Sequence, residues 1–480
     1  MNLNQTLQEK YPHLEVSVLK LSEVKKNIDF RIDDSFWTMK LIYNNKLNYK
    51  KIGECLLKSQ YGISINMNEG GDGIPIYRMN DIDNMLCNFE VKKYALIDKN
   101  ELQTFRLNYG DVLFNRTNSY EFVGRTGIFY NNRENFVFAS YLVRLVCNKE
   151  ILLPEYLTVF LNTHIGKKEI RRRARPSINQ TNVNPEELKE IKIPIFPMEF
   201  QLEIQNLVKD SHKALEESKE LYKKAEETLY LELGLDSKNP LQSLLDSKTN
   251  NPTKSLNISI HTLKESFLKT GRLDSEYYQK KYEINEKIIM NKKYTVLDNL
   301  VSITKSIEPG SNLYKNKGIP FIRVANLTQY GLSEGDVFLD EKDFFPQYLQ
   351  ILYPKKDTIL FSKDGSVGIA YCVKEDKEVI TSGAILHLNI KDKENILPEY
   401  LTLFLNSIFV KLQAQRDCGG SIISHWRIED IKKVLVAILD IKIQEKIAKY
   451  IQESFNLRKK SKQLLDNAKN KVEEQIQGKI

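Results

Sequence analysis

The chain has 480 residues, of which 41% are hydrophobic and 28% are charged, so its composition is that of a folded protein rather than a disordered one. Its net charge of +8 is compatible with a polyanionic partner but does not require one. The five cysteines are scattered and odd in number, which argues against a disulfide framework or a zinc site. Neither a signal-peptide pattern nor an apolar run of about 18 residues is present, so we expect a cytoplasmic protein without a membrane anchor.

Residues 1–198 are predicted to form the first globular domain. Short β-branched and aromatic runs such as DVLF and FVFASYLVRLV alternate with Gly, Asn and Asp breaks, which is typical of strands in a compact sheet. Near its end, the segment PEYLTVFLNT at residues 154–163 has apolar residues at helical spacing and predicts a helix packed on that sheet. The domain is therefore expected to be an α/β globule.

Residues 199–235 contain no proline and predict one long helix. Counting from Ile204 in alternating steps of four and three residues gives a series of apolar and small side chains, which is the pattern of a coiled-coil seam. The series is Ile204, Val208, Ser211, Leu215, Ser218, Tyr222, Ala225 and Leu229. The following residues, 236–255, are rich in Asn, Ser, Lys and Pro and predict a surface linker.

The rest of the chain repeats this order. Residues 398–407 read PEYLTLFLNS, nearly the same as residues 154–163, and RIDDSFW at residues 31–37 aligns with RLDSEYY at residues 272–278. Residues 256–440 are thus a second α/β domain and residues 441–480 a second long helix. Its seam positions are Ile447, Ile451, Ser454, Arg458, Ser461, Leu465, Ala468 and Val472. We expect an α+β protein whose two long helices form an antiparallel coiled coil. The alternative is that each helix packs on its own globule.

The motifs of common catalytic classes are missing from the sequence. It has no GxxxxGK[ST] phosphate loop, none of its Asn-Pro pairs continues into the Pro-aromatic pair used by amino-methyltransferases, and its six histidines form no metal-binding pair. We therefore expect a non-enzymatic protein without a cofactor or metal. Two related globules on a rigid spacer instead suit two sites at a fixed separation, as in bipartite DNA recognition.

Several blocks resemble the specificity (S) subunit of type I restriction-modification systems, and the resemblance covers nearly the whole chain. They are GDVLFNRTNS…VG, KDTILFSKDGSVG, LPEYLTVFLN, LPEYLTLFLN and IKIPIFPMEFQLEI. In that family the globules are target recognition domains, each reading half of a split sequence in double-stranded DNA. The helices set the spacing and bind two methyltransferase (M) subunits, and motor-nuclease (R) subunits join them. The second copy departs from the pattern because VLVAILDIKIQEKI lacks the usual prolines.

Two other functions remain open: a scaffold whose globules bind proteins, and the recognition subunit of another DNA modification or defence system. The DNA-binding candidates combine Arg and Lys, which suit phosphates, with Asn and Gln, which suit adenine edges. In the first domain they are Arg116, Asn118, Arg125, Lys167, Lys168, Arg171, Arg172, Arg173, Arg175, Gln180 and Asn182. In the second domain they are Lys363, Ser366, Gln415, Arg416, Ser421, His425 and Arg427. A solvated helix face or a structural turn is the alternative interpretation of these segments.

Overall fold

A computed structural model describes residues 3–14, 16, 18–39, 41–131, 135–178, 180–246, 260–333, 335–419 and 424–478. The chain divides into two compact units, one formed by Met1–Leu215 with Arg458–Ile480 and the other by Glu216–Leu457. Each unit therefore contains one globule and a stretch of both long helices. None of the described helices combines the length and the apolar character that a bilayer crossing requires.

The first globule is built on a six-stranded sheet. In spatial order its strands are Leu56–Tyr61, Leu142–Cys147, Val112–Asn115, Thr126–Ile128, Leu86–Cys87 and Ile82–Asp83. Smaller sheets join Val137–Phe138, Ile74–Tyr77 and Tyr94–Ala95; Arg175–Ser177, Gln180–Asn182 and Thr117–Asn118; and Tyr49–Lys51 with Lys192–Pro194. The buried runs DVLF and YLVRLV thus form adjacent central strands.

Helices surround this sheet. They are Leu3–Lys10, Leu21–Val24, Asp34–Thr38, Lys99–Phe105, Pro154–Asn162, His164–Arg173 and Pro185–Lys189, with short 3-10 turns at Ile52–Cys55 and Met79–Asp81. Pro154–Asn162 begins with proline at its first position, where no backbone N–H is needed, and its side chains from Tyr156 to Leu161 are buried. It packs against the sheet as the sequence predicts.

The second globule repeats the plan with a smaller main sheet of Val301–Lys305, Ile385–Ile390, Ile359–Ser362 and Ala370–Cys372. Its other strands are Phe338–Leu339, Ile319–Ile322 and Ile380–Thr381; Tyr294–Val296 and Leu435–Ala437; and Leu327–Thr328 and Gly331–Leu332. Its helices are Phe267–Thr270, Lys280–Met290, Leu297–Leu300, Pro346–Leu352, Pro398–Asn406, Ile408–Asp417 and Ile428–Lys432. Short 3-10 turns occur at Ser275–Tyr278, Ser311–Leu313, Val324–Asn326 and Glu341–Asp343.

The long helices run Met198–Glu232 and Ile441–Gln477. In the first unit, Glu203 pairs with Lys471 at 2.7 Å and Ser211 bonds Ser461, so the helices lie antiparallel there. The side chains of Ile204, Val208, Leu465, Ala468 and Val472 belong to the same buried cluster as the core of the first globule. The helices therefore pack on each other and on the globule, combining the two packing modes considered from the sequence.

The second unit has its own stretch of helix packing, in which Ser218 bonds Ser454. Tyr222, Ala225, Leu229, Ile447 and Ile451 are buried there with the core of the second globule. Small serines at both contacts let the helix axes approach closely.

A glutamine in the first turn of each long helix joins that helix to its globule. The Gln201 side-chain oxygen accepts from the Leu153 N–H at 2.9 Å, and its amide donates to the Phe196 carbonyl at 3.0 Å. Gln444 makes the same two bonds, to the Leu397 N–H at 3.0 Å and the Leu439 carbonyl at 2.9 Å. The second helix thus keeps this attachment although its approach lacks the prolines.

The α+β class of the prediction is confirmed. The predicted linker includes a helix, Pro240–Asp246, whose Leu244 side chain is buried in the second unit, while residues 247–255 lie outside the described part of the chain. The content of Asn, Ser, Lys and Pro predicted a surface linker, but the leucines of the segment supply an apolar face for this short helix. The other domain limits stay predictions.

Candidate nucleic-acid interface

In the first globule, several candidate residues gather beyond the end of the central strand Val112–Asn115. The chain continues into the short strand Thr117–Asn118, which pairs with Gln180–Asn182 of a hairpin. The Thr117 hydroxyl donates to the Asn182 side-chain oxygen at 2.6 Å, and the Arg116 guanidinium lies over the Tyr61 ring, 5.1 Å from its centre. Two segments about 65 residues apart in sequence thus form one surface.

The helix His164–Arg173 leads into this hairpin. Thr163 accepts the Gly166 N–H and so fixes the start of the helix. Lys167 and Arg171 are exposed, and Arg171 lies over the Tyr120 ring at 5.6 Å. The exposed side of the helix His164–Arg173 therefore presents positive charge to solvent.

Arg172 and Lys168 are half-buried on the same helix. The Arg172 side chain donates to the Phe36 carbonyl at 2.6 Å and stacks on the Phe36 ring, and burial lowers the pKa of its guanidinium. Arg172 is thus shared between protein packing and the surface.

Arg173 is buried, with 6% of its surface exposed, in contrast to the sequence expectation. It forms an ion pair with Glu169 and lies 3.7 Å from Glu187. Arg175 is partly exposed and pairs with Asp29 and Glu187. Since Arg173 is neutralised inside the globule, we leave it out of the candidate interface. Helical spacing places Glu169 beside Arg173, but the second carboxylate, Glu187, belongs to the next helix and the burial of the pair is not visible in the sequence.

Exposed aromatic and apolar side chains also surround this surface, and the sequence analysis did not select them. Arg125 lies over the Phe122 ring at 4.1 Å, and Tyr120 and Tyr141 are also exposed. Ile178, at the tip of the hairpin, is 91% exposed. Aromatic rings beside cations are typical of nucleic-acid surfaces. In the sequence, the one feature that pointed to this exposed apolar side chain was the single isoleucine within the polar run RPSINQTN.

In the second globule the equivalent surface is the turn after Ile359–Ser362. The Asp364 carboxylate accepts from both the Lys363 ammonium and the His425 ring. The Gly365 N–H donates to the Ser424 carbonyl at 2.9 Å, which joins the turn to the returning segment. His425 and Ser366 are exposed.

A cavity of about 470 Å³ opens beside this turn. Lys305, Lys363, Arg427 and Lys433 contribute four cations to its lining, against two carboxylates. Arg427 is exposed and pairs with Asp430 at 2.7 Å. Lys305 and Lys433 were not predicted from the sequence, because Lys305 is distant along the chain from the other lining residues and Lys433 lies just beyond the candidate segment that ends at Asp430.

The remaining candidates of the second globule have mixed outcomes. Arg416 is paired with Glu286 and Asp417; although burial lowers the pKa of its guanidinium, these hydrogen bonds raise it overall. We therefore leave Arg416 out of the interface, as for Arg173. Gln415 is exposed and accepts from Lys281 at 3.1 Å. Ser421 lies outside the described residues.

A metal site would require several ligating side chains close together among the described residues. Over the described ranges, no three His, Cys, Asp or Glu side chains lie together as metal ligands would. Burial raises the pKa of Cys372 to about 12 and that of Cys418 to about 11, so both thiols stay protonated and weakly nucleophilic at neutral pH.

The sequence matches a known protein family along both globules. A family model described as the type I restriction modification DNA specificity domain matches residues 64–227 and 291–469, one segment for each globule with its helix. The chain belongs to this family. The two matched segments correspond to the two halves of the internal repeat.

Two curated type I specificity subunits are similar in sequence to part of this chain. The putative type I restriction enzyme MjaX specificity subunit of Methanocaldococcus jannaschii is 30% identical over 151 residues, 31% of this chain and 35% of that protein. The EcoKI specificity subunit of Escherichia coli (strain K12) is 27% identical over 161 residues, 33% of this chain and 34% of that protein. The chain thus spans about a third of the length of each of these relatives.

Solved structures of type I S subunits align along most of the chain. One from M. genitalium covers 90% of this chain and 96% of its own, with 15% identity and a TM-score of 0.40. The HsdS subunit of Thermoanaerobacter tengcongensis covers 91% and 98%, with 12% identity and a TM-score of 0.30. These scores are too low to support conclusions about function.

Proposed function

We propose that the chain is the DNA specificity subunit of a type I restriction-modification complex, with each globule reading one half of a bipartite DNA target. The observation that carries this is the duplication of a cation-bearing turn at the same end of the same central strand in two specificity domains. Since the turns differ in sequence, RTNSYEFVG against KDGSVG, the two half-sites should differ and the target should be asymmetric.

The proposed division of labour follows from side-chain chemistry. Arg116, Arg171 and Lys167 suit phosphate contacts, which position the protein without reading sequence. Asn118, Gln180 and Asn182 lie on the adjoining hairpin surface, and amide side chains can pair with the edge of adenine. The first domain would thus hold the backbone with its helix and read bases with its hairpin.

The second domain would use a more compact surface. Arg427, Lys305 and Lys433 surround its cavity and suit phosphates, while the neighbouring Ser366 and His425 can reach base edges. Lys363 is 6% exposed and paired with Asp364, so it is left out of the proposed contacts, as Arg173 is. Gln415 and Ser421 complete the candidates in this domain. A smaller turn predicts a half-site that differs in both sequence and length.

The chemistry would be supplied by partners. We propose that two methyltransferase subunits bind along the long helices and that motor-nuclease subunits join them in the cytoplasm. This chain itself would act without a cofactor. The paired helices offer a rigid element whose length is fixed by backbone hydrogen bonds, which suits a spacer.

The test is electrophoretic mobility of a random-sequence duplex library with the full chain and its cognate methyltransferase subunit. We expect the DNA shifted by the two proteins together to be enriched in one two-part sequence. The methyltransferase subunit alone should enrich no sequence. A protein scaffold would add affinity without sequence preference, and that result would overturn the proposal.

A further inference from the structure

Each globule contains an arginine clamp that is separate from the candidate interface. The first clamp consists of Arg31, Asp33, Phe36 and Trp37. Arg31 donates to both carboxylate oxygens of Asp33, each at 2.7 Å, and its ring-stacked guanidinium lies 4.7 Å from the centre of Phe36. The Trp37 indole donates to the Arg31 carbonyl at 2.7 Å. The Asp33 carboxylate and the Phe36 ring thus hold the guanidinium, and Trp37 holds the backbone of the same residue.

The remaining Arg31 nitrogen donates to the Arg173 carbonyl at 2.9 Å. Arg173 is the last residue of the helix His164–Arg173, and the hairpin begins at Arg175. Carbonyls in the last turn of a helix have no partner within the helix, and a cation there is favourable. The first clamp therefore holds the point from which the candidate DNA-reading hairpin departs.

The second globule contains the same device. Arg272 donates to the Asp274 oxygens at 2.8 and 2.7 Å and lies 4.7 Å from the centre of the Tyr277 ring. Its third bond, at 3.4 Å, goes to the carbonyl of Arg416, which lies in the last turn of Ile408–Asp417. The Tyr278 hydroxyl donates to the Arg272 carbonyl at 2.9 Å, in the place of Trp37.

The clamp also reaches a candidate contact residue directly. Phe36 lies between Arg31 and Arg172, since the Arg172 guanidinium is 4.3 Å from its ring centre and bonds its carbonyl. Arg31 itself is only 5% exposed. It can therefore influence DNA contacts through Arg172 and the hairpin but cannot make them.

We propose that Arg31 and Arg272 are positioning residues for base recognition, one for each half-site. This inference rests on the proposed function, because it assigns a role in setting the geometry of those two surfaces. Each clamp holds the end of the helix from which the candidate DNA-reading segment continues. Loss of the clamp would therefore let that segment sample several orientations. Preference among bases then falls, while the number of phosphate contacts stays the same.

The experiment is binding-site selection from a random duplex library by the full chain with its methyltransferase subunit, comparing wild type, Arg31→Met and Arg272→Met. We expect Arg31→Met to lose about tenfold or more in preference at one half-site, corresponding to one or two base contacts, and to keep the other. Arg272→Met should show the reverse pattern, so each variant is the control of the other. For Arg31→Met the slope of log affinity against log salt should stay unchanged, because the buried Arg31 makes no phosphate contact.

Two further variants separate positioning from general destabilisation. Leu157→Ala removes a buried side chain of the first globule and should lower the melting temperature while leaving the selected motif intact below that temperature. Arg31→Lys keeps the positive charge but loses the two-pronged guanidinium that binds both oxygens of Asp33. Its base preference should lie between those of wild type and Arg31→Met, and this variant serves as the test if Arg31→Met does not fold. A wild type that selects no sequence would refute the proposed function. The positioning role would be refuted if wild type selects two half-sites and the Arg31 variants select the same motif. It would also be refuted if the motif of the Arg31 variants weakens only in proportion to their loss of melting temperature.

Discussion

The hydroxyl oxygens of Ser211 and Ser461 lie 2.8 Å apart between the two long helices, and Ser211 also bonds the Ser461 carbonyl at 3.0 Å. In the repeat alignment, Ser454 is the equivalent of Ser211 and Ser218 that of Ser461. Ser454 donates to the Ser218 carbonyl at 2.8 Å. The same contact therefore occurs once in each unit, with the helices exchanging roles. Duplication of the sequence has produced a duplicated helix contact.

Enlarging this contact should destabilise the protein. Ser211→Leu places a branched side chain where two buried hydroxyls meet, and we expect the free energy of unfolding to fall by about 1–3 kcal/mol. Ser211→Ala loses only a hydrogen bond and should cost about 1 kcal/mol. Urea denaturation measures both. Lys209→Leu, at an exposed position of the same helix, is the control, and an equal effect there would show that the serines do not set the helix spacing.

A fragment of residues 1–236 should form a homodimer. It would keep one globule and one long helix, and the side chains of that helix that are buried in the second unit, Tyr222, Ala225 and Leu229, would face water in a monomer. Two copies can bury these side chains across a two-fold axis, with Ser211 of one copy facing Ser218 of the other. Leu215 replaces the half-buried Arg458 at the equivalent position, which favours tighter packing.

Light scattering of the fragment tests its association, and we expect twice the monomer mass. With methyltransferase subunits, the dimer should methylate a palindrome built from one half-site and its inverted copy. A stable monomer would contradict the assignment of these side chains to a helix–helix seam. Methylation limited to the asymmetric site would contradict the two-domain account.

The basic helix contains arginines with separable roles. Arg171→Ala removes an exposed cation and should weaken binding to all DNA sequences, lowering the salt slope by roughly one unit with little change in stability. Arg173→Ala leaves Glu169 buried without its cation and should cost about 3–5 kcal/mol of stability. Salt titration and thermal unfolding of the two variants distinguish these effects. An unchanged salt slope for Arg171→Ala would remove this helix from the DNA surface.

Acid should destabilise the second globule through His387. Burial lowers the pKa of His387 to about 4 in the folded protein, against 6.5 for an ordinary histidine. Between these values the unfolded chain binds a proton that the folded chain does not, so stability is lost as the pH falls from 6.5 to 4, by up to about 3 kcal/mol. His387→Gln should show a flatter stability profile over this range. Parallel profiles for variant and wild type would contradict the assignment.

The spacer can be tested by lengthening it. Four residues inserted in each long helix add about 6 Å, and DNA rises about 3.4 Å per base pair, so the half-sites should separate by one or two base pairs. Their own sequences should persist. Methylation mapping that returned the original spacing would show that another element sets it.

The sequence was most informative where a pattern depends on local geometry. The repeat, the helix beginning at Pro154 and the buried series from Ile204 follow from spacing along one helix, and spacing is visible in a sequence. The class of the protein was accessible for the same reason, since its motifs are contiguous.

The interface was less accessible because it depends on contacts between distant segments. Arg173 and Arg416 each lie in a polar segment that predicts exposure. Each pairs with a carboxylate nearby in sequence and with a second one, Glu187 or Glu286, that another helix supplies. The alignment of RIDDSFW with RLDSEYY was visible, but the bond from Arg31 to the Arg173 carbonyl, 142 residues away, was not. A list of charged residues therefore cannot separate DNA contacts from internal ion pairs.

The most direct test of the account is a map of N6-methyladenine in DNA from cells that express the full chain with its methyltransferase subunit. We predict one asymmetric motif with two specified halves separated by a fixed unspecified spacer, absent when this chain is omitted. A contiguous or palindromic motif from the full chain, or the same methylation without it, would contradict the proposal that two different domains each read half of the target.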